Sequence, residues 1–131
     1  MLAKNPAGCN QILEYLKEIQ QPFILVLCLN DRSADGTDIS WIWDVDYEVL
    51  PVLGDNLKKI YVSGDRAADM HLRIKYSGFP TEHINEERDY EKLVQDLSSV
   101  DEQVFIIPTY TAMLDLRNIL IRHCGGADFW E

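Results

Sequence analysis

Three uninterrupted apolar runs constrain this chain most: "QPFILVLCLN" at 21–30, "KKIYVSG" at 58–64 and "EQVFIIPT" at 102–109. A strand with one wet face alternates apolar and polar residues. A branched run that is apolar throughout belongs to a strand buried on both faces, as in a parallel sheet covered by helices on either side. The intervening sequence has helical spacing. "GCNQILEYLKEIQ" aligns Ile12, Tyr15, Leu16 and Ile19; "RAADMHLRIKYSG" aligns Ala67, Met70 and Ile74 and stops at Gly78. "DYEKLVQDLSS" offers Tyr90, Leu93, Val94 and Leu97, and "YTAMLDLRNILIRHCGG" offers Met113, Leu116 and Leu120 before closing on Gly125. "TEHIN" at 81–85 reads as a further short strand. Strands alternating with helices predict an α/β, Rossmann-like fold with a mostly parallel sheet and helices on both faces.

At 131 residues the chain suits one domain with a substantial core. Its net charge of −10 would repel a phosphate-coated duplex or an anionic membrane surface, so nucleic acid is not expected as a partner. A local basic patch for a nucleotide stays possible. No apolar run approaches a membrane span, and "MLAKNPAGCN" lacks the regions of a signal peptide, so an integral membrane protein is not expected. Cys9, Cys28 and Cys124 are widely spaced without a C-x-x-C, which argues against a disulfide framework or a zinc site and fits a reducing cytoplasm. The abrupt start "MLA" reads as a strand end with nothing before it, as if cut from a longer protein.

The segment "DGTDISWIWDVDYE" at 35–48 packs two tryptophans, a tyrosine and five carboxylates into fourteen positions. As a strand it would present Trp43, Val45, Tyr47 and Val49 on one face and Asp44, Asp46 and Glu48 on the other. As a helix capped by Asp38 it would align Ile42, Val45 and Val49. A parallel sheet has little use for a strand with one acidic face, which favours a helical or irregular segment. Two metal-dependent readings nearby fail. "DRSADG" opens like an EF-hand loop, but Ile42 stands where the bidentate Glu belongs. "DVDYE" followed by "SGDRAAD" imitates a haloacid-dehalogenase phosphatase, but Glu48 replaces its Thr or Val and the spacing is too short for the intervening fold. No metal ligand set is expected, and His71, His83 and His123 have no ligand spacing.

Ligands of a parallel α/β sheet sit beyond the carboxyl ends of its strands. In "SGDRAAD", Ser63 or Asp65 is expected to cap the next helix. Arg66 would then lie in its first turn, where a cation opposes the helix dipole and calls for an anionic ligand or a partner carboxylate. In "LAKNPAG", Pro6 and Gly8 set a turn, and Lys4 could meet a phosphate as a point charge.

Taken in order, "AKNPAGCNQIL", "LNDRSADGTDISWIWDVDYE", "SGDRAADMHLRIKYSG" and "IPTYTAMLDLR" resemble the C-terminal domain of the MurT-type Mur ligases, the ligase subunit of lipid II isoglutaminyl synthase. The resemblance covers nearly the whole chain and implies a single domain, 1–131, the third of a three-domain ligase. It implies an enzyme that uses ATP and magnesium to activate the D-glutamate α-carboxylate of lipid II. A glutaminase subunit (GatD-type, a class I glutamine amidotransferase) would supply ammonia, at the inner face of the bacterial membrane. The P-loop, magnesium site and zinc-binding insertion would belong to a central domain outside these residues, so the fragment alone would be inactive, with no tightly bound cofactor. By the same resemblance Lys4 and Asn5 would approach the nucleotide phosphates. Asp44, or else Asp46, would complete a Cys-His-Asp triad with the partner's Cys and His, and Trp41, Trp43 and Tyr47 would anchor the interface. Arg66 would contact substrate or partner. One departure is Thr37, where the family more often carries Arg in a D-G-R-D loop. The alternative reading is a free-standing Rossmann-like module that binds a small anionic metabolite through Lys4 and Arg66.

Overall fold

The computed structural model describes residue 2 and residues 5–124. Helix α1 (Pro6–Leu16) leads into strand β1 (Phe23–Cys28), and four short 3-10 turns then carry the chain to β2 (Leu57–Ser63). Helix α2 (Ala67–Tyr76), β3 (Ile84–Glu86), α3 (Tyr90–Leu97), β4 (Gln103–Pro108) and α4 (Tyr110–Cys124) follow. The strands form one all-parallel sheet in the order β3-β2-β1-β4. The three apolar runs are its three long strands, and all six residues of the central β1 are buried.

Alternate residues of the strands feed two cores. Phe23, Leu25, Leu27, Ile60 and Val62 pack with α1, α2 and the 3-10 segment, whereas Ile24, Val26, Cys28 and Tyr61 pack with α3 and α4. Helices on both faces are therefore a consequence of consecutive apolar residues, throughout β1 and over Ile60–Val62 of β2. Burial inside this sheet pushes the Cys28 thiol up to about 12, which leaves it an inert core residue.

Several local expectations shift. The buried face of α1 is Cys9, Leu13 and Leu16, while Tyr15 is exposed with one edge against Phe105. The helix starts earlier than its apolar spacing suggests, because Pro6 takes its first position and Asn5 caps it, so Pro6 and Gly8 are helical rather than a turn. "TEHIN" divides into a 3-10 turn, Thr81–His83, and the start of β3. The groups of α2 and α3 stand as read, with Ala67, Met70, Ile74, Leu93 and Val94 buried and Gly78 at a positive φ just past α2. Gly125 lies outside the described residues.

Gly64 joins β2 to α2 at φ +93, and a Cβ there would lie 2.6 Å from the Leu29 carbonyl oxygen. That oxygen accepts the Arg66 amide at 2.9 Å, and the Ser63 oxygen accepts the Leu29 amide at 3.0 Å, so the two strand ends approach backbone to backbone. Gly54 has a similar φ of +81 but open space around it. Gly64→Ala should therefore cost about 2–4 kcal/mol and Gly54→Ala about 1–2 kcal/mol, the difference being the clash. Urea unfolding of the two variants beside the wild type checks this.

Candidate functional site

The 35–48 segment is irregular, and its irregularity is held in place by one buried arginine. A 3-10 turn at Ser40–Asp44 ends where Val45 turns to extended geometry (φ −79°, ψ 141°), and a second runs from Tyr47 to Val52. Short turns broken this way leave carbonyls without a helical partner. The Arg73 side chain, 3% exposed on α2, supplies the donors. Its Nε donates to the Ile42 oxygen at 2.9 Å and its Nη2 to the Val45 oxygen at 2.7 Å. The same guanidinium forks onto both carboxylate oxygens of Glu48 at 2.8 and 2.9 Å. Its central carbon lies 5.2 Å from the ring centroids of both Trp43 and Tyr47, within reach of cation–π attraction.

Around this anchor the side chains sort cleanly. Ile42, Val45, Tyr47 and Leu50 are buried, and Trp41 and Val49 are partly buried against the same core, while Val45 and Tyr47 alternate with the exposed Asp44, Asp46 and Glu48, so neither a helix capped by Asp38 nor a strand describes the whole segment. Asp38 accepts the Ser40 amide at 2.8 Å, and this backbone hydrogen bond leads the causes that hold its carboxyl below the usual range. Tyr47 is corrected. At 2% exposure it is core and offers no surface to a partner, and burial raises its hydroxyl pKa. Trp43 is 47% exposed, and its ring lies tilted beside that of the still more exposed Tyr76, with centroids 5.8 Å apart. Asp44 and Asp46 are both exposed beside it. The Asp46 amide donates to Asn10 Oδ1 at 2.8 Å, which ties the segment to α1 as well as α2.

A second polar cluster fills the crevice where the chain reverses direction across the sheet, between the carboxyl ends of β1 and β4. The Asn30 amide nitrogen donates to Thr109 Oγ1 at 3.0 Å and its side chain to Thr111 Oγ1 at 2.9 Å, while its Oδ1 accepts the Asp65 amide at 2.8 Å. Asp35 accepts the Thr111 amide at 2.7 Å, which pins the 31–36 loop to α4. Arg32 bridges Asp65 and Asp115, each at 2.9 Å, and these hydrogen bonds keep it firmly charged. Polar groups at the point where such a sheet ordinarily receives a ligand thus bond to one another within the chain.

Arg66 stands at the N-cap of α2 rather than inside its first turn, and neither Ser63 nor Asp65 caps that helix. The Ser63 hydroxyl is buried and has no hydrogen-bond partner among the described residues. The guanidinium of Arg66 binds Asp69 and Asp31, both at 2.7 Å, so carboxylates of this chain answer its charge. Lys4 lies outside the described residues. Asn5 Oδ1 accepts the Gly8 amide at 2.8 Å as a helix cap, and so engaged it does not by itself build a phosphate site. Among the described residues no group of His, Cys, Asp or Glu is arranged to hold a metal ion, and no helix is long and apolar enough to cross a membrane.

The family model described as MurT ligase C-terminal matches residues 2–113. The chain belongs to this family. It is 36% identical over 121 residues to the subunit MurT of lipid II isoglutaminyl synthase (glutamine-hydrolyzing) from Streptococcus pneumoniae, a match covering 92% of this chain and 27% of that protein. It is 35% identical over 125 residues to the subunit of the same name from Staphylococcus aureus, covering 95% of this chain and 28% of the relative. The chain thus spans little more than a quarter of the relatives it matches. Within the MurT ligase C-terminal domain, the match takes in both the acidic-aromatic segment and Arg73. Sequence reasoning passed over Arg73, although its signal is legible: it is a cation on the apolar stripe of Ala67, Met70 and Ile74.

Two stability effects follow. Arg73→Met strips the donors from two carbonyls in a packed segment, each worth about 1–3 kcal/mol when left unpaired, so thermal unfolding should show a loss of about 2–5 kcal/mol. Glu48, 54% exposed, has its carboxyl held below the usual range chiefly by the Arg73 hydrogen bonds. A depressed carboxylate contributes stability above its unfolded pKa and loses it as pH falls through the folded value. Glu48→Gln should therefore be less stable than wild type at neutral pH, and the gap should narrow steadily below about pH 4. Urea midpoints across that range measure it.

Proposed function

We propose that this chain is the C-terminal domain of a MurT-type ligase subunit that amidates the D-glutamate α-carboxylate of lipid II, using ATP with magnesium and ammonia drawn from glutamine. In this reading the domain is the third of three, closes over the nucleotide bound by the rest of the enzyme, and docks a glutaminase subunit of the class I amidotransferase type. The complex works in the cytoplasm, at the inner face of the membrane. Supporting it are the family membership and the names of the relatives. The observation that carries the site is a pair of exposed carboxylates, Asp44 and Asp46, on a segment whose backbone is tied down by a buried arginine.

The chemistry asked of that segment is modest. A partner's cysteine would attack the glutamine side-chain carbonyl with a partner's histidine as its base. An aspartate from this chain, accepting the second ring N–H, would hold the imidazole in one tautomer and stabilise the imidazolium as it forms. Trp43, half exposed beside Asp44, would cover that hydrogen bond and exclude water, as aromatic residues do at interface cores. The competing reading, a free-standing module binding a small anion, is weakened because Arg66 already pairs with two carboxylates.

Glutamine hydrolysis by the intact ligase with its glutaminase separates the possibilities. Asp44→Asn should lower kcat by about 10³–10⁴-fold, the scale of losing a triad aspartate, with the complex still assembled on size exclusion. Asp46→Asn should hydrolyse near the wild-type rate. A reversed pattern moves the role to Asp46, and normal hydrolysis by both variants removes the cross-subunit triad.

A further inference from the structure

We propose that Arg73 is the positioning residue of this site, the group that sets where Asp44 stands relative to the partner's histidine. The inference rests on the triad reading above and adds to it a residue that touches neither substrate nor partner cysteine. The two carbonyls that Arg73 holds, Ile42 and Val45, flank the Trp43–Asp44 dipeptide on either side. The same guanidinium grips Glu48 beyond Tyr47 and lies against the Trp43 ring, so one planar group holds the segment at four points. Arg73 is itself placed by α2, whose Ala67, Met70 and Ile74 are buried in the core. A rigid path therefore runs from the sheet through α2 to an exposed carboxylate on an irregular turn.

That path matters because a triad hydrogen bond tolerates little displacement, and a misplacement of about 1 Å can cost about 100-fold in rate. Lysine cannot take over the task. Its single ammonium cannot span two carbonyls and a carboxylate, and it lacks the flat face that lies against Trp43. Glu48 is the solvent-side end of the clamp. Because it is half exposed, changing it perturbs the clamp at a smaller cost in stability than changing Arg73.

The experiment uses the intact ligase in complex with its glutaminase, assayed for glutamine hydrolysis well below each variant's unfolding temperature. Arg73→Lys should lose about 10–100-fold in kcat, with KM for glutamine held within about twofold and the complex intact on size exclusion. Glu48→Gln, which keeps one acceptor for the fork, should lose less, roughly threefold to tenfold, with the same split. Near-ultraviolet circular dichroism should change in Arg73→Lys as Trp43 loses its fixed neighbour. Val94→Ala, in the core on the opposite face of the sheet, is the control for stability alone: it should lower the unfolding temperature and leave kcat unchanged.

Wild-type kcat in both Arg73→Lys and Glu48→Gln, with Asp44→Asn inactive, overturns the positioning role and leaves the triad standing. A loss in Val94→Ala that matches Arg73→Lys also overturns it, since the effect would then be instability. Normal hydrolysis by both Asp44→Asn and Asp46→Asn removes the underlying reading, and with it anything for Arg73 to position.

Discussion

The Arg73 guanidinium is the interaction on which the acidic-aromatic segment depends. The connection from β1 to β2 crosses the sheet as short 3-10 turns rather than as a regular helix, and such turns leave backbone carbonyls in search of donors. A planar cation with donors fanned in one plane answers two of those carbonyls and a carboxylate at once. Burying a charge is costly unless its donors are met. Here four of its hydrogen bonds are made and two aromatic rings lie nearby. The result is an irregular segment with a defined shape.

The same arrangement explains why aromatic residues and carboxylates share one short stretch. The apolar residues face inward: Ile42, Val45, Tyr47 and Leu50 fill the layer between α1, α2 and the sheet. Asp44 and Asp46 face outward, Asp35 turns back to Thr111, and Glu48 turns back to neutralise the arginine. Trp43 stands between the two groups, with one part against Arg73 and Tyr76 and nearly half its surface exposed. At the carboxyl end of the sheet the chain follows a different rule. Asn30, Arg32, Asp35, Asp65 and Thr111 satisfy one another, which stiffens the loop that delivers the acidic-aromatic segment. The segment, with that loop before it, presents the exposed carboxylates of Asp44 and Asp46 from a supported backbone.

The fold class was legible because the long strands carry consecutive apolar residues, and a sheet covered on both faces buries such runs. Helix identity was legible from period. The buried face of α1 was not, because Ile12, Leu13 and Leu16 offer overlapping stripes and the core took Cys9 and Leu13 over Tyr15. The role of Arg66 was half legible. A cation at the start of a helix signals a nearby anion, but Asp31 comes from 35 residues upstream, a distance no local pattern reports. Tyr47 was misjudged for the same reason: a tyrosine beside acids looks like an interface residue until the packing places it inside.

What the sequence determined by itself is the class of the fold and the family, since apolar runs, helical spacing and four ordered motifs are local properties carried along the chain. What only the tertiary structure decided is which residues meet across it. Arg73 reaches the carbonyls of residues about thirty positions away, and Arg32 joins the loop after β1 to both Asp65 and Asp115. Hydrogen bonds act over about 3 Å and are indifferent to sequence separation. The contacts that hold the site therefore come into being when the sheet order brings β1, β2 and β4 side by side.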